Sequence, residues 1–179
     1  MQNKNTSPSI YVACLASYND GVLYGRWIDA TQSAEQINLE IADMLKASPV
    51  PFAEEWAVHD YDGFGTIRLS EWPNIARVAK IAELIEEHGD GFALWYNDQG
   101  GHDIDLAEME DDFLSKWQGA HDSREAFVDH LFETTGQLEG IPEWARNYFD
   151  YHAYARDLEL SGDYSFVQNE GQYYVYSSY

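Results

Sequence analysis

Runs rich in β-branched and aromatic residues open and close this chain, and between them the apolar positions recur at helical spacing. In SIYVACLASYNDGVLYGRW, two such runs flank Asn19, Asp20 and Gly21, a turn signal that predicts a hairpin with strands near 9–17 and 22–28. Ser33, with Gln36 three residues on, has the form of a capping box. Ile37, Ile41, Met44 and Leu45 follow at helical spacing, so a helix is expected that stops before Pro49 and Pro51. A short strand around Trp56 to Asp60 completes a small sheet with one helix packed on it.

From Ser70 to Trp117 the periodicity is helical. Ile75, Val78, Ala82 and Ile85 line one face, and Leu106, Met109, Phe113 and Trp117 another. The glycines at 89, 91, 100 and 101 favour short helices over long ones. Beyond Gly119, Ser123 is placed to cap a helix that buries Phe127, Val128, Leu131 and Phe132, and a second helical stretch runs from about Pro142 to Leu160. Ser165 to Val167 and Gln172 to Ser177 then flank Asn169, Glu170 and Gly171 as a closing hairpin. This order predicts an α+β fold. It comprises a flexible tail at 1–8, an N-terminal α+β domain at 9–69, a helical middle domain at 70–118, and a C-terminal α+β domain at 119–179 made of helices plus a β-hairpin.

Charge changes the picture most. Ten Lys and Arg stand against 32 Asp and Glu, a formal net charge of -22 on 179 residues. The aromatic complement of 6 Trp, 13 Tyr and 8 Phe is unlike the aromatic-poor composition that leaves acidic chains unfolded, so a folded acidic protein is expected. Such a charge repels phosphates, which disfavours direct binding to nucleic acid. It also repels an anionic membrane, and no apolar run approaches the roughly 20 residues needed to span one. The polar start is unlike a signal peptide, and the single Cys14 permits no internal disulfide, so cytoplasm is the expected location. Within its predicted strand, Cys14 reads as a small buried hydrophobe.

Motifs for catalysis or cofactors are sparse. The six histidines form no HExxH and no zinc spacing, and no Walker loop, GxSxG or dinucleotide GxGxxG occurs, so no cofactor is expected. The segment DYDGFGTIRLSE places Asp60, Asp62 and Glu71 at positions 1, 3 and 12 of a calcium-loop template. Phe64, however, stands at position 5, where an oxygen ligand belongs. A calcium-binding module is therefore one alternative reading. A small carboxylate-dependent hydrolase is another, although a chain with this many acids contains carboxylate pairs by abundance alone.

More telling is the placement of the acids. Glu125, Asp129 and Glu133 follow one another at i, i+4, i+8 on a single predicted helix. Glu83 with Glu87, Glu86 with Asp90, and Glu108 with Asp112 repeat the i, i+4 spacing, with Asp111 beside the last pair. Like charges so placed destabilise a helix by about 0.2–0.5 kcal/mol per pair, a cost accepted repeatedly here. B-DNA carries one charge per roughly 1.7 Å of axis, so 22 charges correspond to about 37 Å of duplex. A compact chain of this length has a radius of gyration near ~16 Å and a diameter of about 40 Å. The linear densities nearly coincide. A sphere spreads its charge too widely for imitation, whereas a row of small domains does not.

The opening IYVACLASYNDGVLYGRWIDA and EEWAVHDYDGFG, residues 54–65, resemble the N-terminal hallmarks of the ArdA antirestriction family. WQGAHDSREAFVDHLFE, residues 117–133, and YARDLELSGDYSF, residues 154–166, resemble its C-terminal hallmarks. The resemblance implies a cytoplasmic, non-enzymatic product of mobile elements: three small domains in a row, an elongated homodimer, and a B-DNA mimic that occupies the DNA channel of type I restriction-modification enzymes. It implies no catalytic residue, because the family acts through a distributed carboxylate surface. The candidate partner-binding acids are Glu83, Glu86, Glu87, Asp90, Glu108, Asp111, Asp112, Glu125, Asp129 and Glu133. Small-angle scattering tests the expected shape: an extended dimer scatters with a radius of gyration well above the ~16 Å of a compact monomer, and a value near that figure removes the idea.

Overall fold

The computed structural model describes residues 7–179. Its described residues form eight α-helices and two three-stranded antiparallel sheets, an α+β fold as expected. The chain divides into two compact units that meet between Ala107 and Glu108. Most of the expected tail lies outside the described residues. At its end Ser7 donates to a Glu86 Oε1 2.8 Å away, and the buried Pro8 accepts from the Ala30 N–H.

In the first unit, β1 (Ser9–Cys14) lies between β2 (Gly25–Asp29) and β3 (Trp56–Asp62). Ile10, Val12, Cys14 and Ile28 are buried, and α2 (Ala34–Lys46) packs against β1 and β2, contributing Ile37, Ile41 and Met44. Ser33 caps α2 as the sequence predicts, its side chain accepting from the Gln36 N–H, and the helix stops before Pro49.

The tight hairpin expected at Asn19 to Gly21 is replaced by a longer connection. β1 ends at Cys14, the chain turns through α1 (Leu15–Asn19), and β2 begins only at Gly25. Tertiary anchoring wins over the local turn signal. Ser17 of α1 is fully buried with its Oγ 2.9 Å from that of Ser48, and the Leu15 N–H bonds the Glu55 carbonyl.

The helical periodicity after residue 70 becomes α3 (Ile75–His88) and α4 (Asp90–Asp98) in the first unit, followed by a 3-10 turn at Gly101–Asp103. Asn74 caps α3 through its side chain. Gly89 separates α3 from α4 with φ 57 and ψ -140, a conformation that residues with a Cβ adopt at a cost. Phe92 and Trp95 of α4 are completely buried.

The second unit begins with α5 (Met109–Lys116) and continues with β4 (Trp117–His121), α6 (Arg124–Thr135), α7 (Glu143–Arg146), α8 (Tyr151–Ser161), β5 (Tyr164–Asn169) and β6 (Gln172–Ser177). The closing hairpin forms as expected. Asn169 faces Gln172 across Glu170 and Gly171, both at positive φ, the geometry that matches strand twist in a two-residue turn. Ser123 caps α6, and Phe127, Val128, Leu131 and Phe132 form the core with Ala155, Phe166 and Val175.

Two expectations are corrected in this unit. The C-terminal region carries a three-stranded sheet rather than a hairpin alone, in the order β4-β6-β5. Trp117 accordingly belongs to a strand and not to a helix face. Helical spacing from Phe113 masked the strand, since Trp117 stacks on Phe113 at 5.7 Å while also packing on Tyr176 at 5.3 Å. Strand β4 itself is weakly marked, with Gly119 at φ 104 and a register shift beside it. The single helical stretch expected at 142–160 is likewise two helices, because the Asp150 side chain accepts from the Ala153 N–H and starts α8 afresh.

Gly25 is required by close approach. A Cβ there would lie 2.3 Å from the Val12 carbonyl oxygen and 2.9 Å from Ala13 Cα, both backbone atoms that cannot swing away. Gly25→Ala is expected to destabilise the protein by about 1–3 kcal/mol, as overpacking does, read as a lower midpoint in denaturant unfolding. An unchanged midpoint contradicts the packing described.

Candidate functional site

The acidic candidates fall on, or immediately before, four helices, two in each unit. On α3, Glu83, Glu86 and Glu87 are exposed. Lys80 lies 3.5 Å from Glu83, Glu86 accepts from Ser7, and His88 Nε2 lies 3.8 Å from Glu87. Asp90 is in the first turn of α4, on the far side of Gly89. The Glu86–Asp90 pair therefore does not share a helix as its spacing predicts, because Gly89 ends α3 between them.

In the second unit, Glu108 is the residue before α5, and Glu110, Asp111 and Asp112 occupy the first turn. Four acids within five residues, Glu108 and Glu110 to Asp112, look self-repelling in sequence. At a helix N-terminus they meet the positive end of the helix dipole, which favours each carboxylate by about 0.3–1 kcal/mol and offsets the repulsion. Asp112 is also 3.0 Å from Lys116 one turn on.

Helix α6 contains Glu125, Asp129 and Glu133 as expected, but the three are not equivalent. Glu125 is half-buried and accepts a 2.7 Å hydrogen bond from the Nδ1–H of His152 on α8. That bond, more than any other influence, holds the Glu125 carboxyl below the usual glutamate range. Asp129 and Glu133 are exposed and have no hydrogen-bond or ion-pair partner among the described residues. Sequence spacing brings the three together on one helix. It gave no sign of His152, which arrives 27 positions later through the packing of α8 on α6.

Several basic side chains are spent on contacts within the fold, while others, such as Lys46 and Arg156, stand exposed beside Asp43 and Asp157. Arg124 forms a two-pronged ion pair with Glu159, its guanidinium lying 5.5 Å from the Phe166 ring centroid and 5.3 Å from that of Tyr173. Arg77 donates to the carbonyls of Gly101 and Ile104, and Arg146 to that of Ile141. Arg77 and Arg124, both only partly exposed, fasten the fold through these contacts.

The calcium-loop alternative meets different geometry. Asp60 and Asp62 lie on β3, each accepting from the next residue's N–H, and Phe64 is buried at the position where a ligand belongs. Among the described residues, Asp60, Asp62 and Glu71 do not bring their carboxylates within 4.8 Å of one another. Cys14 is buried, with its Sγ 3.4 Å from Ser48 Oγ, as a small core residue would be.

A family model described as antirestriction protein (ArdA) matches residues 10–173, nearly the whole chain. The chain belongs to the ArdA antirestriction family. In a comparison with curated proteins nothing matches. Membership in the ArdA family supports an antirestriction function, and among the described residues no helix is long and apolar enough to cross a membrane.

Glu125 generates a pH dependence of known sign. Its carboxyl is depressed in the folded state relative to the ordinary value of 4.5, so its stabilising contribution is present above that value. The contribution is lost as pH falls through the depressed folded value. Thermal melts between pH 7 and pH values below 4.5 should show wild type losing more stability on acidification than Glu125→Gln. Parallel curves for the two proteins contradict a His152-stabilised carboxylate.

Proposed function

We propose that this protein is an antirestriction inhibitor that imitates B-DNA and competitively occupies the DNA-binding channel of bacterial type I restriction-modification enzymes. The observation that carries this reading is the combination of exposed, partly unpaired carboxylates on helices of both units with a net charge of -22, in a chain of the ArdA family. Carboxylates such as Asp129 and Glu133 stand where phosphates would stand, and a basic channel offers the Lys and Arg that would otherwise neutralise the duplex. The complementary fields speed encounter and select basic partners. Imitating the backbone alone carries no base information, so one inhibitor would act on enzymes with different recognition sequences.

The reading extends to a non-enzymatic protein without a cofactor, acting in the cytoplasm as a homodimer of three small domains in a row and carried by a mobile element. A direct test is competition between the protein and duplex DNA for a purified type I enzyme. Displacement of DNA in proportion to protein concentration supports it, and undiminished DNA binding refutes it. A gel-shift experiment on free duplex should show no binding even at low salt, because phosphate and protein carry the same sign.

The geometry of α6 sharpens the mutational test. Because Glu125 is tied to His152, the informative variant is Asp129→Asn with Glu133→Gln, which neutralises the two unpartnered charges alone. Removing that like-charge neighbour pair should leave stability unchanged or raise it by about 0.2–0.5 kcal/mol. Inhibition should weaken by about 0.2–1 kcal/mol per charge, and its salt dependence should become shallower. Equal inhibition and equal salt slopes for variant and wild type would remove this helix from the proposed surface.

A further inference from the structure

The solvent face of the first sheet carries an arrangement that the helix carboxylates do not explain. In the ladder, Tyr11 of β1 stands opposite Trp27 of β2 on one side and Asp60 of β3 on the other, so the three side chains form one row across the sheet. The next rung on the same face is Asp29, Ser9 and Asp62, again paired directly through β1. The opposite face is covered, since Ile10, Val12 and Ile28 are buried against α2. Trp27 remains 50% exposed although its ring centroid is only 5.6 Å from that of Tyr11.

Both rungs are shaped by named contacts. The Tyr11 ring lies over Gly25, where a Cβ would come within 3.0 Å of its Cζ, so the glycine gives the ring room against the sheet. Asp29 accepts from Thr31 through Oδ1, and Asp60 and Asp62 accept from Tyr61 and Gly63 through Oδ1. Each of the three leaves its second oxygen unpartnered among the described residues. Arg26, the basic residue of β2, stands opposite Val12 and so alternates away from this face.

We propose that this aromatic and carboxylate row binds arginine side chains of a basic protein partner, Trp27 and Tyr11 stacking on the guanidinium plane while Asp60, Asp29 and Asp62 take its N–H groups. Charge complementarity decides the occupant. A guanidinium is flat, weakly hydrated and able to stack on a ring while its edge donates to carboxylates, whereas an ammonium is a compact, strongly hydrated point charge. A nucleobase would stack equally well, but its phosphate would face three carboxylates of its own sign. The inference rests on the reading that the partner is a basic DNA-binding channel, and it adds arginine recognition to phosphate imitation.

Calorimetric titration with octa-arginine and octa-lysine peptides at equal ionic strength tests the row by itself. Wild type should bind the arginine peptide about two- to fivefold more tightly, the range of an exposed cation–π contact. Trp27→Leu should erase that preference while keeping the lysine affinity, and Asp60→Asn should weaken both peptides. Circular dichroism melts confirm that the variants fold, and Asp60→Asn retains an oxygen acceptor for the Tyr61 N–H. Equal affinity for the two peptides in wild type, or an undiminished preference in Trp27→Leu, overturns the proposal. So does a single-stranded oligonucleotide that binds wild type but not Trp27→Leu. Competition against duplex DNA for a type I enzyme separates the two readings. Failure of wild type to compete removes the mimic while the peptide result still decides the row. Wild type and Trp27→Leu competing equally removes the row from the partner surface and leaves the mimic standing.

Discussion

Self-repulsion among the carboxylates is the constraint to which the rest of the structure answers. A net charge of -22 works against any compact state, and the fold meets it with position rather than with added cations. Acids stand in the first turns of α2, α4, α5 and α6, where the helix dipole favours them. Others cap helices, as Asp150 does for α8, or close local turns, as Asp29 does with Thr31. The cores are correspondingly rich in large rings, with Trp95, Phe92, Phe113, Phe127 and Tyr176 fully buried.

The same constraint bears on two of the few basic residues. Arg124 is packed between two aromatic rings and paired with Glu159, and Arg77 bonds backbone carbonyls. These cations link elements distant in sequence, Arg124 and Glu159 being 35 residues apart. A cation free on the surface would cancel part of the field, whereas one committed to a carbonyl or held between rings works mainly as a fastener. Stability and an acidic exterior are thus obtained together.

Local signals made much of this legible. Ser33 and Ser123 announced their helices because an N-cap is a short-range hydrogen bond, and Asn169 to Gly171 announced a hairpin because positive φ at two residues is a local demand. What stayed hidden was non-local. The Asn19 to Gly21 signal was overridden by the burial of Ser17 against Ser48, 31 residues away. Strand β4 was hidden because Gly119 weakens its pattern and Trp117 falls in step with the preceding helix. Of the candidate acids, spacing placed Asp129 and Glu133 correctly on the exposed face of one helix. It misplaced Asp90, which Gly89 puts on a new helix, and it missed the tie between Glu125 and His152. The strand carboxylates Asp60 and Asp62 were visible only through a calcium template, because their cross-strand partners are set by ladder register rather than by sequence distance.

Counting charges and placing them therefore address different parts of recognition. The long-range field depends on the sum, and it is screened within a Debye length of about 8 Å at physiological ionic strength. Short-range contact depends on which carboxylates still have an oxygen to offer. Glu125 has given its best geometry to His152, and Asp112 faces Lys116, while Asp129 and Glu133 are uncommitted. Two acids of equal formal charge thus differ in what they can do at contact: both draw a basic partner closer, but one must break an internal hydrogen bond before it can bind. A distributed acidic surface is for this reason not uniform, and the carboxylates that matter at contact are those the fold has left without other work.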